Sequence, residues 1–305
     1  MSKIAVCGMC GLEYDPEDGL VHDKDGNGDE MCYDCTMKIR NAVPEELGGA
    51  PEEAPLTEYP QMLNYFSVKE AKMLLNVLDP IKGVCGKDAE LIVRTDAEGL
   101  RIVMADQGGS SEIEVSVNMD HDDIVNHGLI ESTVRVNLEK LMAVVKTFGT
   151  EEIVVAAVGS EVVIQSKMAT WRIPQIRFNG DRPRLHAYSV NADGTAYVPL
   201  QALRRILYGE NMAEVFVIEL QDDMCKMTAE EGSGRETLTV RAQQMAAADF
   251  PVRSQFGYDI IGDVVSKIHV GADEVLDVGL MNKGPMEIRW TQGAASIRAV
   301  FASRI

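Results

Sequence analysis

The sequence predicts an α+β fold in which short helices cover one face of antiparallel sheets, preceded by a small metal-ordered module. Three observations carry that prediction. An amphipathic helix followed by period-two strands recurs four times from residue 61 onward. Cys7, Cys10, Cys32 and Cys35 form two Cys-x-x-Cys pairs near the start. Between the cysteine module and the repeats, residues 44–60 read PEELGGAPEEAPLTEYP, an acidic stretch rich in proline that has nothing to bury and reads as a flexible linker.

The first helix is predicted over 67–78, with Ser67 and Glu70 as a capping box and Val68, Ala71, Leu74, Leu75 and Leu78 on one face. The second spans 137–147, capped by Asn137, with Leu138, Leu141, Met142, Val145 and Phe148 inward. The third spans 199–208, opened by Pro199, with Leu200, Leu203, Ile206 and Leu207 inward. The fourth spans 258–268, burying Ile260, Ile261, Val264, Val265 and Ile268. Between them, 91–105 reads as a hairpin turning at 97–99, and 112–117 as a strand with Ile113, Val115 and Val117 on one face. Further strand pairs are predicted at 161–165 with 168–173, 214–220 with 224–229, and 285–290 with 296–302. In the last pair Met286, Ile288 and Trp290 are expected inward, Glu287 and Arg289 outward.

The formal net charge is −19, which by itself argues against a basic nucleic-acid surface. The acidity is uneven. Residues 1–60 carry −10 and the remaining four-fifths of the chain only −9. The four helix windows hold Lys69, Lys72, Lys140, Lys146, Arg204, Arg205 and Lys267 against Glu70, Glu139, Asp259 and Asp263. Positive charge is therefore concentrated on the helices of an acidic protein, where phosphates could pass. The alternative use of these residues is as ordinary solvated lysines and arginines.

The two cysteine pairs are separated by 21 residues. Four thiolates suit tetrahedral Zn2+ and close its coordination sphere, so the ion would be structural and leave no catalytic position open. A redox or disulfide pairing is the other reading. Residues 11–31 are too polar to form a core, so metal binding would supply the folding free energy. His22 reads as a loop residue, and Cys85 and Cys225 as small core residues. No phosphate-cradling glycine loop or nucleophile elbow occurs, and the MDHDD segment at 119–123 with His127 reads as a solvated loop. The chain therefore reads as a binding protein, not an enzyme. No apolar run is long enough for a membrane span and no signal peptide opens the chain, so it is expected to be cytoplasmic.

In order and spacing, these elements resemble the archaeal and eukaryotic DNA polymerase sliding clamp, the proliferating cell nuclear antigen family. EGLRIVMAD (98–106) is similar to a family hairpin, and VRVNLEKLMAVVKTFGTEEIVV (134–155) to the second helix and the strand after it. GPMEIRW and SIRAVFASRI are similar to the closing hairpin and tail, with Ser303 where the family has proline and Val300 where it commonly has an aromatic. The resemblance implies a zinc-ribbon module (1–43), the linker (44–60), two similar clamp domains (61–178 and 196–305) of two repeats each, and a connector (179–195). It implies a homotrimeric ring, closed by edge strands near 168–176 and 235–243, that encircles duplex DNA without reading its sequence. It implies partners: DNA polymerase, clamp loader and other clamp-binding proteins. They would dock in a pocket for which Leu185, Tyr188, Pro285, Val300 and Ala302 are the candidates. Arg177, Arg182 and Arg184, in and just before the connector, would favour partner motifs flanked by acids. The competing readings are a zinc-ribbon transcription or replication regulator on a clamp-like scaffold, and a metal-dependent enzyme using the acidic loops.

The cysteine module makes a direct prediction: the purified chain carries one zinc ion per copy by elemental analysis, and Cys32→Ser abolishes that stoichiometry. A zinc-free chain with oxidised cysteines would instead support the disulfide reading.

Overall fold

The computed structural model describes Ala5–Val6, Glu13–Tyr14 and residues 64–304, except for 87, 97–98, 178–186, 208–213, 223, 232–233, 242, 247–249 and 272–273. The chain divides into two units, Met1–Ala54 and Pro55–Ile305. In the first, β1 (Ala5–Val6) pairs antiparallel with β2 (Glu13–Tyr14). All four predicted zinc ligands lie outside the described residues.

The second unit repeats one connectivity. Its first half runs β3 (Tyr65–Val68), α1 (Ala71–Cys85), β4 (Glu90–Asp96), β5 (Gly99–Ala105), β6 (Ser111–Val117), β7 (Ile124–Gly128), β8 (Ser132–Asn137), α2 (Leu138–Phe148), β9 (Ile153–Val158), β10 (Glu161–Gln165) and β11 (Thr170–Pro174). Its second half runs β12 (Gly194–Pro199), α3 (Leu200–Leu207), β13 (Val215–Gln221), β14 (Met224–Glu231), β15 (Gly234–Arg241), β16 (Gln243–Ala246), β17 (Val252–Gly257), α4 (Tyr258–Ser266), β18 (Val275–Leu280), β19 (Met286–Gln292) and β20 (Ala295–Phe301). Strand for strand the pairing matches: β3 joins β9 and β7 as β12 joins β18 and β16, and β4 joins β8 as β13 joins β17.

Three antiparallel sheets result: β11-β10-β9-β3-β7, β16-β12-β18-β19-β20-β6-β5-β4-β8, and β15-β14-β13-β17. The nine-stranded sheet spans both halves through the antiparallel β20–β6 pair, in register from Ala295↔Val117 to Phe301↔Ser111. The strands expected at ring junctions, β11 and β15, are terminal strands of the other two sheets. The helices pack side by side in the order α2, α1, α4, α3, with their apolar stripes on the sheets. All the predicted inward residues of the third helix are buried (Leu200, Leu203, Ile206 and Leu207), and Pro199 ends the strand before it.

The first helix differs from its prediction. Ser67 belongs to β3, where its Oγ donates to the Asn126 carbonyl, and Glu70 makes no side-chain cap. The free donors at the helix start go instead to backbone carbonyls: Ala71 N–H to Glu151 and Lys72 N–H to Gly149. The helix also runs through Pro80 to Cys85. An interior proline costs about 3 kcal/mol. Complete burial of Ile81 and near-complete burial of Val84 offset this, at about 1.5–3 kcal/mol for each such side chain. Asn137, by contrast, caps α2 as predicted, accepting the Lys140 N–H at 2.8 Å.

Gly83 sets the approach of α1 to α4. A Cβ there would lie 3.1 Å from the Asp263 carbonyl oxygen and 3.3 Å from Val264 Cα. Gly83→Val should therefore destabilise by about 1–3 kcal/mol through overpacking. Gly262→Ala, whose Cβ would meet only Tyr258 at 3.8 Å, should be neutral or gain up to about 1 kcal/mol of helix propensity. Chemical denaturation of both variants checks the contrast, and equal effects would remove the close helix contact as its cause.

Candidate nucleic-acid interface and connector site

With their apolar stripes on the sheets, the helices present their remaining faces to solvent. Lys72 on α1, Lys140 and Lys146 on α2 and Arg205 on α3 are exposed there. The other predicted cations are placed differently. Lys69 is exposed but precedes α1, and Lys267 is half-buried just beyond α4. Arg204 is half-buried and donates to the Ile268 carbonyl at 2.5 Å, so it ties α3 to the end of α4. Lys82, in the last turn of α1, is a helix cation that the sequence reading missed by ending the helix before Pro80. The exposed acids are Glu139 on α2 and Asp259 and Asp263 on α4. The cations therefore sit on α2, α1 and α3, and the α4 stripe is acidic. Beside it, Asp79 pairs with His269 at 2.9 Å.

The connector site lies on the opposite face of the β6–β20 junction. Ala187 and Val190 pack on Val300, with Val103 beside them. Two backbone donors of the connector are held by carboxylates of β6: Ala187 N–H by Glu114 at 3.2 Å and Tyr188 N–H by Glu112 at 2.8 Å. The Arg298 guanidinium donates to the Tyr188 carbonyl, to Glu287 at 2.7 Å and to Glu114 at 3.4 Å. Arg289 adds a second contact to Glu287 at 2.5 Å. Glu287 is thus 3% exposed and Glu112 4% exposed, although strand alternation points both away from the core. The connector covers them, and the arginines and backbone donors compensate their burial.

Among the predicted pocket residues, Tyr188 is 66% exposed, Pro285 half-buried and Ala302 exposed. Val300 is buried beneath the connector, and Leu185 lies outside the described residues, as do Arg182 and Arg184. Arg177 is exposed. Sequence reading missed Glu112, Glu114, Glu287 and Arg298 as a group. Their signal was three acids and an arginine on adjacent strands, visible only once β6 and β20 are known to be neighbours.

Burial pushes the thiols of Cys85 and Cys225 up to about 12, with Asp106 adding to the effect at Cys85, so both stay neutral. In the MDHDD loop, His121 Nδ1 accepts the Asp123 N–H at 3.1 Å. No group of three metal-ligating side chains occurs among the described residues. Nor is any helix among them long and apolar enough to cross a membrane.

No family model and no curated protein sequence matches the chain. Solved structures do. The proliferating cellular nuclear antigen of Entamoeba histolytica aligns with a TM-score of 0.69 at 12% identity, over 80% of this chain and 100% of that one. The A. fulgidus clamp bound to the C-terminal region of FEN-1 aligns at 0.69 and 12%, over 79% and 98%. The clamp of Thermococcus kodakaraensis aligns at 0.69 and 13%, over 79% and 100%. At this identity the likeness is one of fold: residues from β3 onward adopt the DNA-clamp architecture.

The connector contacts predict a local effect. Glu112→Ala should speed amide exchange at Tyr188 by about tenfold or more, since hydrogen bonds to charged groups contribute about 1.5–3 kcal/mol. Glu112→Gln, which keeps an acceptor, should speed it less. Hydrogen exchange read at residues 187–190 checks both.

Proposed function

We propose that this clamp-fold chain is one subunit of a homotrimeric sliding clamp that encircles duplex DNA and tethers a polymerase and other replication and repair proteins. One observation carries the reading. By the matching connectivity, β15 is the counterpart of β6, and β11 the counterpart of β20. Inside the chain β6 and β20 pair; β15 and β11 end their sheets with one side unpaired in the single chain. A neighbouring copy at each edge can satisfy it by repeating the junction the chain already makes, β11 of one copy against β15 of the next, and ring closure leaves neither edge exposed.

Lys72, Lys140, Lys146 and Arg205 would then meet the DNA backbone, with Lys69, Lys82 and Lys267 at the helix ends. The contacts would be weak and independent of sequence, which suffices for a topologically linked ring. The proposed protein partners, polymerase and clamp loader among them, would dock beside the connector, where Tyr188, Pro285 and Ala302 remain accessible. One structural neighbour, the A. fulgidus clamp bound to the C-terminal region of FEN-1, supports a peptide-docking role for this fold. The ring is a scaffold with no chemistry of its own. A structural Zn2+ on Cys7, Cys10, Cys32 and Cys35 would order the N-terminal module, whose role would be further docking.

Native mass spectrometry tests the reading. The expected mass is three times 33.4 kDa. Thr239→Pro, on exposed β15, should yield a folded monomer by circular dichroism and native mass. A wild-type monomer at micromolar concentration would overturn the self-closing ring and favour the regulator on a clamp-like scaffold.

A further inference from the structure

The two halves share a connectivity but not a filling. Strands β4 and β13 have the same length, and their hairpins close at matching pairs, Asp96↔Gly99 and Gln221↔Met224. They therefore correspond position by position. Phe216 on β13 stands opposite Phe256 on β17, and both rings are buried in the core. The corresponding pair in the first half is Leu91 on β4 and Val136 on β8. The next core-facing pair but one repeats the contrast: where the second half has Leu220 opposite Val252, the first has Thr95 opposite Ser132.

The cover differs as well. In the second half the loop between β18 and β19 runs from Met281 to Pro285. Ser254 on β17 holds it, donating to the Met281 carbonyl at 2.7 Å and accepting the Gly284 N–H at 3.0 Å. In the first half the matching connection, between β9 and β10, is only Gly159 and Ser160. Val134 takes the place of Ser254 there and has no hydroxyl to hold a loop.

The first half is left with a pocket of about 290 Å³, partly open to solvent, between its sheets and α1. Leu91, Thr95, Val134 and Val136 border it, together with Leu74 and Val77 of α1. Protein interiors ordinarily leave few voids larger than a water molecule. An apolar cavity of about 150 Å³ takes up one benzene, so this one has room for about two rings. Its mostly aliphatic wall returns nothing for the lost hydration of an anion, and Asp123 on its border would repel one.

We propose that this pocket binds a small uncharged aromatic molecule of one or two rings, which supplies in the first half what Phe216 and Phe256 supply in the second. The site is separate from the helix cations and the connector, and it stands whether or not the chain forms a ring.

The test titrates naphthalene into the full-length chain, with 2-naphthoate as the same ring pair carrying a charge, and follows both by methyl NMR. Naphthalene should bind saturably, one molecule per chain, with nuclear Overhauser contacts to the methyls of Leu74, Val77 and Val93. The naphthoate should bind about a hundredfold more weakly or not at all, because its carboxylate would be desolvated without a partner. Leu91→Phe and Val136→Phe each install the second half's residue at the matching position. Each should weaken naphthalene binding about tenfold or more by occupying its space, and the double variant should abolish it. If one variant fails to fold, the other decides; if neither folds, the wild-type contacts and the contrast between the two probes decide. Absence of saturable contacts, equal binding of the two probes, or undiminished binding in a folded variant would each overturn the proposal.

Discussion

The architecture depends on the pairing of β20 with β6. That junction converts two halves with the same connectivity into one body, because it is the point where the nine-stranded sheet passes from residues of the first half to residues of the second. Its inner face buries Ile113, Val115, Ile297 and Ala299 in the common core. Its outer face carries Glu112, Glu114, Arg298 and Val300, and these hold the connector. Seating Glu287 between two arginines adds little net stability, since desolvation consumes most of the Coulombic gain. Losing one partner would be far more costly, so the cluster acts mainly to fix where the connector lies.

The same strands thus do two jobs by the alternation of a β-pleat. One set of side chains closes the core and the other anchors the chain that crosses it. Backbone N–H groups supply the anchoring donors, while the side chains of Ala187 and Val190 pack on Val300. Tyr188 illustrates this: its N–H and carbonyl are both engaged while its ring is exposed.

Packing is uneven across the body. At α1 and α4 the contact is close enough that a methyl group on Gly83 would press on the Asp263 carbonyl at 3.1 Å. Between the sheets of the first half the walls stand apart and leave a mostly aliphatic pocket of about 290 Å³. Charge is uneven too. The exposed helix cations lie on α2, α1 and α3, whereas α4 presents Asp259 and Asp263. Over a screening distance of about 8–10 Å, a polyanion passing these helices would meet alternating attraction and repulsion rather than a uniform basic track.

Much of this was legible in the residues because it depends on local periodicity. The 3.6-residue spacing of Leu138, Leu141, Val145 and Phe148 placed α2, Asn137 marked its cap, and the alternation of Met286, Ile288 and Trp290 placed β19. The four repeats, and through them the class of fold, follow from the same local signals. Three features came only from tertiary structure. The start of α1 is satisfied by the 149–151 turn, so Ser67 was free to join a strand despite its capping-box spacing. Burial of Ile81 and Val84 carried the helix through a proline that ordinarily ends one. The carboxylates at 112, 114 and 287 read as a solvated strand face until a connector some 70 residues later in the chain from the first two covered them. Each of these turns on a partner distant in sequence, and a periodicity within one segment carries no information about which distant segment will lie against it.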